Sequence, residues 1–374
     1  MNVKTISTTS LDELKIQIRE TVENEFQPTL AVCFASLQCD LEQLTAVTKA
    51  HDIDLIGSST AGEIHGEGIS AKSISIMLTD IDPSAYHIVH EKANYAASLS
   101  VGRRIAQASP FTNSAYILVF SLTVNGENLT KGITETETGR PPIFGGMAGD
   151  DMAMRETFTF TNEQISSDGV TVLILDNDKI SVEGLALCGW QPIGTENVIT
   201  SADENIIYRI NDEPALNVVK SYFGDYFENG VSDDSVPLGA AQYPLQIKRD
   251  ESYVLRATMQ GNEEDGSLVM AGSVREGDRF HFSVAPGFEI IEETIEGFQN
   301  FAAEREGADA VLMFSCVARH MSLGPLIEDE VAGVYGVWNK PMIGFFSYGE
   351  VGQHKDNVSQ YYNETCSLVL LREK

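Results

Sequence analysis

The side chains of this 374-residue chain that could do chemistry are spread along it and form few patterns. Seven histidines, His51, His65, His87, His90, His281, His320 and His354, are the candidates for acid–base work or metal ligation. His87 and His90 stand three apart in AYHIVHE, on opposite faces of an expected strand, so they do not read as a metal pair. His281 alternates with phenylalanines in RFHFSV, which places it in a pocket or in water. The serines of GSSTAGE lack a basic partner, and the chain holds no GxSxG elbow, HExxH, P-loop lysine or GxGxxG after a strand. A hydrolase or transferase using Glu63 or Glu350 as general base is the enzymatic reading left open. The cysteines, Cys33, Cys39, Cys188, Cys316 and Cys366, are odd in number and form no CxxC, which suits reduced thiols in a cytoplasmic protein.

What would position these residues is a block that occurs three times: an apolar strand, a Gly-acid turn, and a second apolar strand. The first copy has AVCFAS, LIGSSTAGE and SISIMLTD. The second has YILVFS, IFGGMAGD and VTVLILD, and the third AVLMFSC, MIGFFSYGE and CSLVLLRE. Aligned on the turn, Gly62-Glu63, Gly149-Asp150 and Gly349-Glu350 coincide. Glycine there permits a positive φ or a close backbone approach, and the acid can accept local N–H bonds or face a ligand.

Helix signals fall between the first strand and the turn. Asp40 caps a helix carrying Leu41, Leu44 and Val47 and ending near His51, and the third copy has Leu326, Ile327, Val331 and Val334 at helical spacing. Ahead of the first copy, Ser10 and Glu13 form a capping box for a helix with Leu11, Leu14, Ile18 and Val22 on one face. Further helices are expected over 213–223, with Asp212 as cap, and over 288–305. Between these two, YVLRATM, SLVMAGSV and RFHFSV alternate and are broken by acidic turns, the signature of a meander.

The expected fold is therefore α/β, with mixed, partly antiparallel sheets flanked by helices and built from repeated strand-helix-strand-strand units. Two modules are expected, 1–200 and 201–374, with their seam in a loop around Pro192 to Asn205, where apolar strand content stops. The N-terminal stretch is interrupted by charges, so no secretory signal is expected, and no apolar run is long enough for a membrane helix. A net charge of −30 argues against nucleic acid and anionic lipid as partners.

Several stretches, STAGEI at 59–64, GWQPIG at 189–194, IYRIND-EPAL at 207–216, SCVAR at 315–319, GFFSYGEVG at 344–352 and NETCSLVL at 363–370, resemble proteins of the FIST family. The resemblance implies FIST N and FIST C modules and a sensor that does no chemistry of its own. In some bacterial members it implies haem-dependent nitric oxide sensing that regulates a histidine kinase, and in others sensing of small polar metabolites such as amino acids. Matched to the C-terminal motif, the ligand-binding candidates are Cys316, Arg319, Glu330, Tyr348, Gly349, Glu350 and Asn363, with Thr365 beside them. Arg319 and Glu350 could line the mouth of one pocket, or Arg319 could pair with Glu350 or Glu330 and fix a loop. No CxxCH attachment motif is present, so a haem b would be held non-covalently; its leading iron ligands are His320, after Arg319 at the exit of a repeat strand, and His354, four residues after the Gly349-Glu350 turn. Only Arg372, Glu373 and Lys374 follow the last expected strand, so the signal is expected to leave through a partner. The segment 223–242, with Asp233 and Asp234, is the loop expected to carry it.

Overall fold

A computed structural model describes residues 1–137, 139–224, 242–249, 252–285, 287–354 and 357–374. The loop expected to carry the signal, with Asp233 and Asp234, lies almost wholly outside the described residues.

The apolar runs LAVCFA, SAYILVF and AVLMFSC form the strands Leu30–Ala35, Ser114–Phe120 and Ala310–Cys316, each buried along its whole length. Continuous rather than alternating apolarity is what a strand covered on both faces requires. Each pairs in parallel with the strand that enters the Gly-acid turn, Asp54–Ser59, Ile143–Met147 and Met342–Ser347 respectively. On its other side each pairs antiparallel with the last strand of its block, Ile74–Thr79, Gly169–Asp176 and Cys366–Glu373. The crossovers are the helices Leu41–Lys49, Gly126–Thr136 and Ile327–Trp338. Asp40 and Asn125 cap the first two, accepting from Gln43 N and Asn128 N, and Ser10 caps Leu11–Asn24 by accepting from Glu13 N.

After each turn the chain leaves its own sheet. Glu63–His65 pairs with Met342–Ser347 of the third block, Thr159–Thr161 with Asp54–Ser59 of the first, and Glu350–Gln353 with Ile143–Met147 of the second. The three six-stranded sheets are thus interlocked in a ring, each completed by a hairpin from another block. The sheet of the third block also takes Ile180–Leu187, paired along the whole of Cys366–Glu373, so it draws strands from both sides of residue 200. Where the sheets meet, Phe34, Phe314 and Phe345 pack with ring centroids 4.7 to 6.0 Å apart, in a core shared with Phe144 and Ile117.

A fourth sheet contains the meander and, where the sequence predicts a loop around Pro192 to Asn205, the long strand Gln191–Asp203, whose backbone pairs on both sides despite its polar side chains; the helix Ala215–Phe223 packs on this sheet. That helix begins two residues later than its sequence suggests. Asn211 and Asp212 take left-handed conformations, and Glu213–Pro214 pairs with Ile206–Ile210, so Pro214 rather than Asp212 stands at the helix entrance. The fold is α/β, with mixed and antiparallel sheets flanked by helices. Among the described residues no helix is long and apolar enough to cross a membrane.

Candidate functional site

The three Gly-acid turns meet one another. Ala61 N donates to Phe346 O and Phe346 N to Gly62 O, Gly149 N donates to Ser59 O, and Tyr348 N donates to Met147 O. Only Gly62 of the three has a positive φ, +132°. Gly149 and Gly349 are needed for close approach: a Cβ on Gly149 would stand 2.4 Å from Ala61 N, and one on Gly349 1.9 Å from the Tyr361 hydroxyl.

The acids of the first and third turns are held alike. Glu63 accepts from the Thr60 hydroxyl and from Ser73 N and Oγ, and Glu350 from Ser347 Oγ at 2.5 Å and from Thr365 Oγ1 at 2.8 Å. Both are fully buried. Burial outweighs these hydrogen bonds and pushes the Glu350 carboxyl up to about 8, and Glu63 is raised for the same reason. Asp150 instead accepts from the backbone N–H groups of Met154, Arg155 and Glu156 and from the Tyr348 phenol.

Among the sequence-derived candidates, Cys316, Glu350, Asn363 and Thr365 come together in a buried polar cluster that also holds Glu364. Burial, with Glu350 and Glu364 nearby, pushes the Cys316 thiol well up, the reverse of what a nucleophile needs. Glu364 has φ +60°, and neither of its carboxylate oxygens has a hydrogen-bond partner; burial raises it well above the usual carboxylate range.

Arg319 and Glu330 form a closed pair beside this cluster, both 0% exposed. Arg319 Nε reaches both Glu330 oxygens at 3.0 and 3.1 Å, Nη2 reaches Glu330 Oε1 and Thr294 Oγ1, and Nη1 donates to the carbonyls of Cys188 and Glu364. The five N–H groups of the guanidinium are thereby used, and its flat face lies 5.1 Å from the ring centre of Trp190. Burial alone would lower this group, but the Glu330 carboxylate outweighs it and raises it. Arg319 makes no hydrogen bond to Glu350.

Tyr348 and Tyr361 border a cavity of about 250 Å³ between the second block and the meander, on the seam of the two halves of the chain. Tyr95, Val124, Asn125, Gly126, Met147 and Met154 line it from one side, and Met259, Val269, Met270, Ala271 and Ser273 from the other. Glu350 is not among its lining residues. Tyr361 is clamped between Gly126 and Gly349, where a Cβ would come within 2.6 Å and 1.9 Å of it. Arg256, 2% exposed, closes one edge by donating to the carbonyls of Ser273, Leu255 and Tyr361 and pairing with Glu127, which also binds Arg275. Sequence reasoning missed both the capping amide of Asn125 and the methionines of the wall.

The seam cavity offers no histidine or cysteine for iron and no cation for propionates, and it lies below the ~300–1,000 Å³ of pockets for drug-sized ligands; it does not fit haem. His320 stacks on Phe346 at 4.3 Å, and its buried Nδ1 has no acceptor of the kind that orients a ligating imidazole. Among the described residues, neither His320 nor His354 lines this cavity or either of two open surface grooves, one lined by His87 and His90 and the other by Arg140, Glu183 and Arg305. Among the described residues no group of three or more His, Cys, Asp or Glu side chains could hold a metal ion.

Compared with known proteins, the FIST N domain family model matches residues 29–213 and the FIST C domain family model matches residues 215–353. No curated protein matches the chain. Eight lining residues of the seam cavity fall in the first match and seven in the second, so the cavity is shared by the two domains.

Proposed function

The chain belongs to the FIST family, whose domains are signal-transduction sensors of small ligands, and on that premise we propose that it binds a small ligand in the seam cavity and signals through a partner protein. The shared lining of that cavity carries the reading. A ligand shifts an equilibrium only through different affinities for two conformations, and one wedged between two domains bears directly on how they sit against each other. The lining supplies no carboxylate, histidine, lysine or cysteine, so its serine and tyrosine hydroxyls have no base beside them in the wall, which favours binding over catalysis. The free cysteines suit a cytoplasmic setting, and a histidine kinase is the partner proposed from the family resemblance. A Val269→Phe substitution, which narrows the cavity, tests the site. In ligand-observed NMR on a pool of cell metabolites, signals broadened by the wild-type chain are expected to sharpen with the variant. Equal broadening by both would place the ligand elsewhere. A Soret band on haem addition, lost in His320→Ala or His354→Ala, would move the reading to haem-dependent nitric oxide sensing.

A further inference from the structure

Resting on the reading that the seam cavity is the ligand site, we infer that it selects a compact, uncharged ligand with an aromatic ring and a single hydrogen-bonding group. None of the sixteen lining residues is an Asp, Glu, Lys, Arg or His. The charges just behind the wall are already committed. Arg256 uses Nε, Nη1 and Nη2 on three carbonyls and Glu127, and the Asp150 carboxylate is filled by three backbone N–H groups and the Tyr348 phenol. A charged group seated against this wall would lose water and find no countercharge, a cost that disfavours carboxylates and zwitterions, amino acids among them.

The ring follows from the wall. Met147, Met154, Met259 and Met270 present flexible, polarisable thioethers, which pack favourably on aromatic rings and adapt to a flat outline. The size agrees: an apolar cavity of about 150 Å³ holds benzene, and about 250 Å³ leaves room for a two-ring molecule. One polar substituent is allowed because Tyr95, Asn125 and Ser273 converge on the cavity while the Tyr348 hydroxyl is occupied by Asp150.

Calorimetric titration of the full chain with indole, 4-methylphenol, cyclohexanol, indole-3-acetate and tryptophan tests this. Indole and 4-methylphenol are expected to bind at one site, with cyclohexanol, indole-3-acetate and tryptophan at least tenfold weaker. Val269→Phe and Ala271→Leu are expected to weaken indole at least tenfold. Charged probes or cyclohexanol that bind as tightly as indole, yet are lost in both variants, would overturn the ligand class and leave the site standing. Indole binding unchanged in both folded variants would overturn the site itself. No binding by either neutral aromatic up to its solubility would overturn the class. Should a variant fail to fold, nuclear Overhauser contacts from indole to labelled methionine methyls of the wild-type chain replace it. Contacts to Met147, Met154, Met259 or Met270 are expected, and contacts confined to other methionines would sink the proposal.

Discussion

Tyr348, in the turn of the third block, donates its phenol hydrogen to the carboxylate of Asp150, the acid of the second block's turn. With Asp150 N donating back to the same phenol oxygen, this bond helps tie the FIST C turn to the loop 151–156, whose N–H groups Asp150 holds and whose Met154 faces the seam cavity. Burial and this bond both push the phenol up, so it stays a neutral donor. Tyr348→Phe keeps the ring and loses the bond, which is expected to cost about 1–2 kcal/mol. Asp150→Ala strands three N–H groups as well and should cost about 3 kcal/mol or more. Urea denaturation of the two variants checks the order; equal losses would show that the loop is held by something else.

The Arg319–Glu330 pair is sealed from solvent, so breaking one side leaves a buried charge. Arg319→Met is expected to lose about 3–5 kcal/mol, while Arg319→Met combined with Glu330→Leu recovers most of it. A double-mutant cycle by chemical denaturation measures the coupling, and a value near zero would refute the pairing.

Glu350 carries the clearest pH signature. Its folded value of about 8 lies above the ordinary 4.5, so between these limits the folded state binds more protons than the unfolded state. Stability is then fully present below pH 4.5 and falls as pH rises towards 8, by at most about 1.4 kcal/mol per pH unit from this group. Glu350→Gln keeps the shape without the charge and should flatten that slope. Unfolding free energies at pH 5, 6, 7 and 8 decide it, and identical slopes in the two proteins would contradict the assignment.

Two glycines give opposite expectations. Gly349→Ala drives a methyl into Tyr361 and is expected to cost about 1–3 kcal/mol. Gly336, in the helix Ile327–Trp338, has nothing within 4 Å of its added Cβ, so Gly336→Ala should stabilise by about 0.5–1 kcal/mol. A lowered thermal midpoint is expected for the first and a raised one for the second, and a shift of either variant in the other direction would refute the expectation for that glycine.

At the edge of the seam cavity, Glu127 balances a buried and an exposed arginine. Burial alone would raise this carboxyl, but Arg256, with Arg249 and Arg275, outweighs it and holds it low. Glu127→Ala leaves Arg256 buried and unpaired, at about 3 kcal/mol, whereas Arg275→Ala, at a residue 64% exposed, should stay within about 1 kcal/mol. Comparable losses by urea denaturation would mean that the buried arginine does not depend on Glu127.

Much of the polar cluster was written locally. A hydroxyl three residues before the acid, Thr60 or Ser347, and another at or just before the last strand, Ser73 or Thr365, recur in the first and third blocks. The second block has Met147 in the first of these positions, and its shorter acid turns to the loop that follows. Local side-chain hydrogen bonds of this kind depend on spacing along the chain, which a sequence displays. The capping of Leu11–Asn24 and Leu41–Lys49 was legible for the same reason.

The sequence by itself determined most of the strands, the α/β class, the threefold block and the FIST resemblance, because apolar runs, caps and turns are properties of a few adjacent residues; the polar strand Gln191–Asp203, which reads as a loop, has no such run to mark it. Only the tertiary structure decided that each turn hands its hairpin to another block's sheet, since every hairpin is a local object but its edge partner is chosen by packing. It likewise decided that Arg319 closes on Glu330 rather than on Glu350. The seam cavity lies furthest from sequence. Tyr95 and Tyr361 stand at its two ends of the chain, and a void is defined by what packing leaves unfilled between such segments, which no short stretch of residues records.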